Sequence, residues 1–393
     1  MVPQDSFRTP VWHPAHAHHT LEINGPVGWL ALRVGVLFGG QSEEHAVSMM
    51  SACAVMDAMP ESHVIVPIAI DKSGRWKTGD SALELIRAEI GRAPQVPMGT
   101  ARTPTIGSQS SHEIVPFRPE ALTELVEVII PVLHGPLGED GTVQGLLELA
   151  GVPYVGSGVL GSALGMDKIA MKTMFGSMGI PQVAYQGLTR YHWLHNRPQI
   201  LDRLEKALGY PMFVKPANLG SSVGISKATD RRALEAAIEI AQQFDRRVIV
   251  EQGLNAREFE VGVLGWDAAE PSVVGEVTGH GHDFYDYRAE YEDGSTELSI
   301  PADVPGAVAR QMQELAVQAF HALDCAGLAR VDFFWEHASQ RVLLNEINTL
   351  PGFTPSSMYP VLWEATGVSY PKLIDRLIAI AIERHQQRPP RNR

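Results

Sequence analysis

The chain has 393 residues, of which 45% are apolar and 20% are charged, and its formal net charge is −13. This length allows two or three domains of roughly 150 residues, each with its own core. The acidic balance disfavours a general binder of nucleic acid or of anionic membranes, because both surfaces require clustered Lys and Arg. Two cysteines, Cys53 and Cys325, are too few for a disulfide framework or a Cys-ligated metal site, and they fit a reducing cytoplasm.

The first 30 residues differ from the rest of the chain. They lack the apolar core of a signal peptide and hold four histidines between His13 and His19. We interpret residues 1–30 as a disordered, His-rich extension, with metal binding by the histidines as the alternative. Elsewhere the longest apolar stretches are much shorter than the roughly 20 residues that span a bilayer, so we expect no membrane-spanning helix.

Residues 31–160 are predicted to form an N-terminal α/β domain. Apolar runs predict strands at residues 32–38 and Val64–Ile70, separated by a helix at residues 44–59. A strand, a helix and a second strand in this order imply a parallel sheet covered by helices. A further strand is predicted at residues 126–133, before a glycine-rich loop.

Two further units of α+β structure are predicted at residues 161–260 and 261–386, followed by a short tail at residues 387–393. For the central unit we predict strands at residues 212–215, 224–227 and 248–251, and helices at residues 167–178 and 231–244. For the C-terminal unit we predict strands at residues 259–264, 329–335 and 342–348, and a helix at residues 307–323. A polar loop is predicted at residues 279–299, and a helix at the end of the unit. The chain is therefore predicted to be an α/β protein.

Two predicted strands near the C-terminus carry polar residues on shared faces. Because side chains alternate along a strand, one face is predicted to hold Arg330, Asp332 and Phe334 in the first strand and Leu344, Glu346 and Asn348 in the second. In a hairpin centred on Ser339, Asp332 lies opposite Glu346. Arg330 then lies opposite Asn348.

This predicted pairing has a chemical consequence. Two carboxylates about 5 Å apart destabilise a sheet unless a cation lies between them. Oxygen atoms from Asp332, Glu346 and Asn348 suit Mg²⁺, which usually takes one or two carboxylates and completes its shell with phosphate and water oxygens. The other interpretation is a solvated hairpin face on which Arg330 pairs with the acids. The apolar residues on the opposite face indicate burial and favour the metal site.

A second candidate site begins at Lys215, at the end of a predicted strand. Residues 217–224 are small and include glycines, so they can present several backbone N–H groups beside one ammonium charge, as polyphosphate requires. A solvated lysine before a turn is the alternative. Gly156, Gly158 and Gly161 formally match a dinucleotide fingerprint, but the acidic residue expected about 20 positions later is missing, which disfavours Rossmann binding.

Glu44 and His134 both follow predicted strands of the N-terminal domain. Ligands of α/β proteins bind at the carboxyl edge of the sheet, so His134 is a candidate for ligand binding, and Glu44 stands at the start of a predicted helix. Their alternatives are structural: Ser42 or Glu43 can cap the following helix, and His134 can be an ordinary turn residue.

Taken together, these segments closely resemble the D-alanyl-D-alanine ligases of the ATP-grasp superfamily over residues 32–386. The matching motifs are residues 39–48, 134–141, 166–168, 214–227, 284–287, 330–332 and 345–354. The resemblance implies an ATP-grasp fold in which two units clasp ATP beside the N-terminal parallel-sheet domain. It also implies a cytoplasmic homodimer that makes D-alanyl-D-alanine for peptidoglycan, without nucleic-acid or membrane partners.

The family's site residues can be placed on this chain position by position. For ATP, the resemblance implies phosphate contacts by Lys168 and Lys215, adenine stacking on Phe284 and Phe334, and further contacts at Ser221, Ser222, Glu251, Leu254 and Glu258. For the metal, it implies two Mg²⁺ ions, replaceable by Mn²⁺, on Asp332, Glu346 and Asn348. For the substrates, it implies Glu44 and His134 on the first D-alanine, Arg330 and Gly352 on the oxyanion, and Ser357 on the second D-alanine. A hydrogen-bonded link of Glu44, Ser221 and Tyr291 would cross the site.

The implied reaction has two steps. ATP phosphorylates the carboxylate of one D-alanine, and the amine of a second D-alanine then displaces phosphate from the acylphosphate. Because an acylphosphate hydrolyses in water, the polar loop at residues 279–299 is expected to close as a lid.

One position on this loop departs from the family pattern. Glu290 stands where family members usually have Lys, and its carboxylate would repel a triphosphate. Tyr291 is retained, which favours D-alanine over D-lactate as the second substrate. The alternatives are a ligase that joins D-alanine to D-lactate or D-serine, and a nucleotide-binding regulator without turnover.

Overall fold

The computed structural model describes residues 31–94, 121–220, 223–279 and 296–388. Outside this part of the chain lie the predicted extension at residues 1–30, most of the predicted polar loop and five singled-out residues, Ser221, Ser222, Phe284, Glu290 and Tyr291. Within the part that the structure describes, no helix is both long enough and apolar enough to cross a membrane.

Four strands form the N-terminal sheet: β1 (Arg33–Gly39), β2 (Val64–Ile70), β3 (Trp76–Thr78) and β4 (Val128–Pro131). Their order is β3-β2-β1-β4, and β1 pairs in parallel with both β2 and β4. The predicted parallel sheet is therefore confirmed, while β3 is an antiparallel edge strand. Four helices accompany the sheet: α1 (His45–Asp57), α2 (Asp80–Ile90), α3 (Ala121–Leu125) and α4 (Thr142–Ala150).

The central segment contains a second sheet of four antiparallel strands: β5 (Tyr185–Thr189), β6 (Met212–Pro216), β7 (Ser226–Ala228) and β8 (Arg247–Gln252). Their order is β5-β8-β6-β7. The helices of this segment are α5 (Val159–Met166), α6 (Lys168–Ser177), α7 (Arg190–Leu208) and α8 (Arg231–Phe244). Asp167 caps α6 by accepting a hydrogen bond from the Ala170 N–H, which fixes where the lysine-bearing first turn of this helix begins.

The C-terminal segment contains a sheet of five antiparallel strands: β9 (Ala256–Gly265), β10 (Glu270–Gly279), β11 (Thr296–Ser299), β12 (Gly327–Glu336) and β13 (Val342–Asn348). Their order is β11-β10-β9-β12-β13. Its helices are α9 (Gly306–Ala322), α10 (Met358–Ala365) and α11 (Tyr370–Gln386). The prediction of a polar loop over residues 279–299 is wrong at both ends, because Gly279 ends β10 and residues 296–299 pair with it as β11.

The hairpin of β12 and β13 confirms the predicted pairs and corrects one face. Asp332 lies opposite Glu346 and Arg330 lies opposite Asn348, as expected. Beyond Asp332 the register shifts, so that Phe333 pairs with Leu344 and Asn345 is the extra residue of a β-bulge. The bulge turns Leu344 into the core with Phe333, whereas strict alternation predicted that Leu344 shares a face with Glu346.

Strand β1 is buried on both faces, as is usual in a parallel sheet. Val34 and Val36 share one hydrophobic cluster with α1 and with Leu377 of α11. Leu37, on the other face, packs with Leu147 of α4. The N-terminal sheet is therefore covered on one side by α1 together with α11, which comes from the other end of the described chain.

The glycines between β4 and α5 have a packing role. Gly156 has a φ of 98°, and a Cβ on Gly327 would lie 2.9 Å from the Gly156 nitrogen. A Cβ on Gly161 would lie 2.8 Å from the Asp324 carbonyl oxygen. Arg384 of α11 also donates a hydrogen bond to the Gly156 carbonyl. These contacts account for Gly156 and Gly161 without a bound dinucleotide.

Candidate active site

A cleft of about 1180 Å³ of empty space, partly open to solvent, is bordered by all three segments. The N-terminal segment contributes the loops after β1 and β4, the central segment contributes α6 and the end of β6, and the C-terminal segment contributes the β12–β13 hairpin. Eleven of the residues singled out in the sequence line this cleft: Glu44, His134, Lys168, Lys215, Glu258, Arg330, Asp332, Phe334, Glu346, Asn348 and Gly352.

Three other predicted residues do not line the cleft. Glu251 of β8 lies behind Lys215, with only 5% of its side chain exposed. Leu254 is half-buried on the connection between β8 and β9. Ser357 precedes α10, where its hydroxyl accepts a hydrogen bond from the Thr354 N–H at 3.1 Å. Ser221, Ser222, Phe284 and Tyr291 lie outside the described ranges.

Arg330 is held by two carboxylates, those of Asp332 and Glu260. Its Nε and Nη2 donate to the two carboxylate oxygens of Asp332, both at 2.9 Å, and its Nε lies 3.0 Å from Oε2 of Glu260. Burial raises the pKa of Asp332, and the Arg330 charge opposes that rise. The planar guanidinium is therefore fixed at the base of the cleft in a bidentate pair.

Acidic groups on neighbouring strands converge beside Arg330. Asp332 faces Glu346 across the hairpin, and Glu258 lies opposite Phe334 on the adjoining strand β9. Burial raises the pKa of Glu258, and the nearby Asp332 charge raises it further. This concentration of negative charge is the environment in which a bound cation is favoured.

The oxygen donors of the hairpin fit a divalent cation that takes only part of its shell from the protein. The described residues contain no group of three or more His, Cys, Asp and Glu arranged to hold a metal. Asp332 and Glu346 supply two carboxylates, and Asn348 adds an amide oxygen that already accepts a hydrogen bond from the Leu350 N–H. Mg²⁺ commonly binds through one or two carboxylates and substrate phosphates, so this donor set suits Mg²⁺ with a phosphorylated ligand.

Two lysines reach the cleft from the central segment. The Lys168 ammonium donates to the Leu219 carbonyl at 3.0 Å and lies 3.4 Å from Glu346. The Lys215 ammonium lies 2.7 Å from Oε2 of Glu251. Burial by itself would lower the pKa of Lys215, but the charges of Glu251 and Glu346 together outweigh burial and raise that pKa. Both side chains are therefore positioned to meet an anionic ligand.

Sequence reasoning missed Lys172, one turn after Lys168 on α6. Its side chain is 1% exposed and its ammonium lies 2.9 Å from Oε1 of Glu251. Burial would raise the pKa of Glu251, but the charges of Lys172 and Lys215 lower it to about 2. The i, i+4 spacing of the two lysines in a predicted helix was the signal that could have identified Lys172.

The N-terminal wall of the cleft is built from turns. Glu44 precedes α1 and makes no side-chain capping bond, while the Ser42 hydroxyl donates to the His134 carbonyl at 2.7 Å. The capping alternative for Ser42 is therefore wrong. Gly135 has a φ of 75°, and a Cβ there would lie 2.8 Å from Oε2 of Glu44. Glu139, also missed, lies 3.4 Å from Nδ1 of His134.

Part of the cleft lining is apolar. Val223, Ile225 and Phe334 line it, and Phe334 presents a partly exposed ring. A flat heteroaromatic group can pack there while a phosphate chain extends toward Lys168 and Lys215.

Two antiparallel sheets that enclose a cleft with lysines on one side and an acidic hairpin on the other define the ATP-grasp fold of ATP-dependent ligases. A family model described as "D-ala D-ala ligase N-terminus" matches residues 33–157, and one described as "D-ala D-ala ligase C-terminus" matches residues 174–379. The chain therefore belongs to the D-alanine–D-alanine ligase family.

Individual relatives agree with this assignment. The chain is 49% identical to a D-alanine–D-alanine ligase of Geobacillus kaustophilus over 91% of this chain and 96% of that protein. Among solved structures, the D-alanine–D-alanine ligase of Coxiella burnetii has a TM-score of 0.74 and 35% identity, covering 91% of this chain and 96% of that one. The VanG D-Ala:D-Ser ligase of Enterococcus faecalis also has a TM-score of 0.74, with 34% identity, covering 89% of this chain and 99% of that one.

Proposed function

We propose that the protein joins two molecules of D-alanine into D-alanyl-D-alanine at the expense of ATP, for peptidoglycan synthesis. The observation that carries this proposal is the meeting, in one cleft, of two lysines, a buried arginine and an acidic hairpin with Glu44 on the opposite wall. Cations of this density are needed to bring a triphosphate and a carboxylate together. The family membership agrees with this chemistry.

The nucleotide would lie along the central segment. Lys168 and Lys215 would bind its phosphates, and Phe334 would stack on the adenine, with Glu258 on the ribose. Glu251 would act through Lys215, because its own carboxylate is engaged by two lysines. Asp332, Glu346 and Asn348 would hold Mg²⁺ or Mn²⁺, which supplies Lewis-acid stabilisation of the phosphate charge when bound.

The amino-acid substrates would lie between the hairpin and the N-terminal wall. Glu44, beside His134, would bind the ammonium group of the first D-alanine. A carboxylate oxygen of this D-alanine attacks the γ-phosphorus, and ADP leaves. The amine of the second D-alanine then attacks the acyl carbon, and phosphate leaves. Arg330 and the Gly352 N–H would stabilise the negative charge on the carbonyl oxygen, and Ser357 would bind the second carboxylate.

The choice of second substrate is a separate point. The D-Ala:D-Ser ligase from Enterococcus faecalis has the same fold, so the fold does not decide between D-alanine and D-serine. Retention of Tyr291 supports D-alanine over D-lactate. Glu290 supports the third candidate, a protein that binds ATP without turnover.

Product analysis distinguishes these candidates. The purified protein is incubated with ATP, Mg²⁺ and D-alanine, with D-lactate or D-serine offered in parallel, and phosphate release and product mass are measured. We expect D-alanyl-D-alanine as the main product. A mixed product would identify a different second substrate. ATP binding without any product would favour the regulator, and Glu290→Lys should then restore turnover.

We also propose a cytoplasmic homodimer on the basis of the resemblance. Sedimentation velocity of the full chain would measure its mass in solution. A species with the mass of one chain at micromolar concentration would reject the dimer.

A further inference from the structure

Helix α6 presents two ammonium groups to strand β13. Lys168 and Lys172 are one turn apart and lie on the same face of the helix. Lys168 lies 3.4 Å from the Glu346 carboxylate, whereas Lys172 donates to the backbone carbonyl of Asn345 at 2.9 Å. The two lysines therefore reach consecutive residues of the strand, one through its side chain and one through its backbone.

The Asn345 carbonyl that accepts from Lys172 belongs to the β-bulge. Asn345 is the extra residue between the Asp332–Glu346 pair and the Phe333–Leu344 pair, and such a residue is left unpaired by the ladder. The bulge brings Asn345 and Glu346 together to the cleft and sends Leu344 to the core. The bond from Lys172 therefore holds the distortion that aims Glu346 into the cleft.

The other contact of Lys172 leads to the second sheet. Glu251 lies between Lys172 and Lys215, with its two oxygens 2.9 Å and 2.7 Å from their respective ammonium groups. A continuous series of contacts thus runs from Asn345 through Lys172 and Glu251 to Lys215. It joins the sheet that carries the phosphate-binding lysine to the sheet that carries Glu346.

Lys172 is poorly placed to touch ATP or D-alanine itself. Its side chain is 1% exposed, compared with 13% for Lys215 and 11% for Lys168. A charge buried this deeply is retained only with good partners, and both partners of Lys172 adjoin residues of the cleft. Its position suits an indirect role.

We infer that Lys172 is a positioning residue, which fixes the spacing between Lys215 and the Glu346 end of the hairpin so that one triphosphate and its cation engage both. This inference rests on the proposed function. Supporting groups of this kind commonly contribute about 10- to 100-fold to metal affinity or activity when they orient the groups that bind.

The test compares Lys172→Met with the unaltered chain. Met keeps most of the length of the side chain and removes the charge. We expect the KM for ATP to rise about tenfold and the Mg²⁺ concentration for half-maximal rate to rise in parallel. The KM for D-alanine should change by less than about twofold, because the contacts of Lys172 lead to Glu251 and Asn345, whereas Glu44 and His134 belong to the N-terminal wall. A normal KM for ATP with a normal Mg²⁺ requirement would overturn the inference.

Arg384→Met is the matched control. Arg384 is also a buried cation that donates to backbone carbonyls, those of Tyr154 and Gly156, but it lies outside the cleft. We expect it to lower thermal stability without changing the KM for ATP or the Mg²⁺ requirement. If both variants shift ATP affinity equally, a general loss of stability explains the effect, and the positioning role is rejected.

The double variant Lys172→Met/Glu251→Gln guards against misfolding, because it leaves no unpaired carboxylate at the site. If Lys172 acts through Glu251, the affinity loss of the double variant should be clearly smaller than the product of the two single losses. Affinity is measured by calorimetric titration with ADP and Mg²⁺. Independent, multiplicative effects would overturn the inference. Because this readout needs no turnover, a chain that binds nucleotide but makes no D-alanyl-D-alanine would reject the proposed function alone.

Discussion

On the side of the cleft formed by the central and C-terminal segments, charged side chains hold one another in place: Arg330 is fixed by Asp332 and Glu260, and Glu251 lies between two lysines. On the N-terminal side, the conformation and hydrogen bonds of the backbone hold the side chains in place. Ser42 donates to the His134 carbonyl, and the positive φ of Gly135 brings the loop close to Glu44.

The difference separates two ways to preorganise a site. Ion pairs between strands make each charge depend on its partner, so one substitution leaves another buried charge uncompensated. Turns make the position of a side chain depend on φ and ψ, so one added Cβ shifts it. The first kind of site should therefore be sensitive to loss of charge, and the second to changes in backbone shape.

Asp332→Asn should give the largest effect. It removes a carboxylate from the proposed cation site and weakens the bidentate partner of Arg330, so we expect ATP turnover to fall at least about 10³-fold. Phosphate release measures this. Near-normal activity in a folded variant would refute the assigned metal site and, with it, the charge-based account of this side.

Glu251→Gln tests the same side through stability. The pKa of Glu251 is lowered from 4.5 to about 2, so its contribution is complete above pH 4.5 and is lost as the pH falls toward 2. We expect the variant to lose about 3 kcal/mol of unfolding free energy near neutral pH. Chemical denaturation at several pH values should show the two proteins converging between pH 4.5 and 2. An equal difference at all pH values would contradict this reading.

Gly135→Ala sharpens the contrast on the other side. An added Cβ would be strained at a φ of 75° and would lie 2.8 Å from the Glu44 carboxylate, with a cost of about 1–2 kcal/mol. We expect the KM for D-alanine to rise roughly tenfold with the KM for ATP unchanged. A parallel change in both constants would show that the two walls do not act separately. Gly151→Ala is a suitable control, because its φ is also positive and nothing lies within 4 Å of an added Cβ.

Deletion of residues 1–29 should have the smallest effect. All the cleft residues lie beyond this segment, so kcat and both KM values should stay within about twofold of the full chain. Steady-state kinetics of the shortened protein checks this. A large loss would mean that one wall of the cleft needs the extension.

Regular patterns in the sequence were sufficient for much of the fold. The alternation of apolar and polar residues in β12 predicted its cleft face, and the opposition of Asp332 and Glu346 followed from a simple hairpin. The bulge at Asn345 could not be predicted from the strand pattern. The lysine that donates a hydrogen bond to the Asn345 carbonyl comes from another segment of the chain. The spacing from Lys168 could place Lys172 on the same face of the helix, but its partners Asn345 and Glu251 are distant in sequence and could not be predicted.

Prolines concealed other elements. Strand β10 contains Pro271 close to its start, near a register irregularity, and α7 contains Pro198 just after a non-helical Asn196. Local signals favour a break at both places, and both are irregular there: the register of β10 shifts between Pro271 and Val274, and α7 is kinked at Asn196. A short window of sequence predicts the irregularity, but it does not predict that the strand or helix continues beyond it.

Helix α11 and strand β1 share one hydrophobic cluster, although they lie at opposite ends of the described chain. On the ribosome, the strand emerges long before the helix that covers it. Part of one apolar face of the N-terminal sheet therefore stays exposed until the end of translation. During that time it is a natural binding site for chaperones. A nonsense mutation between residues 353 and 370 would remove α11 and leave part of that face exposed permanently, so truncated chains should aggregate even though every residue of the cleft is present.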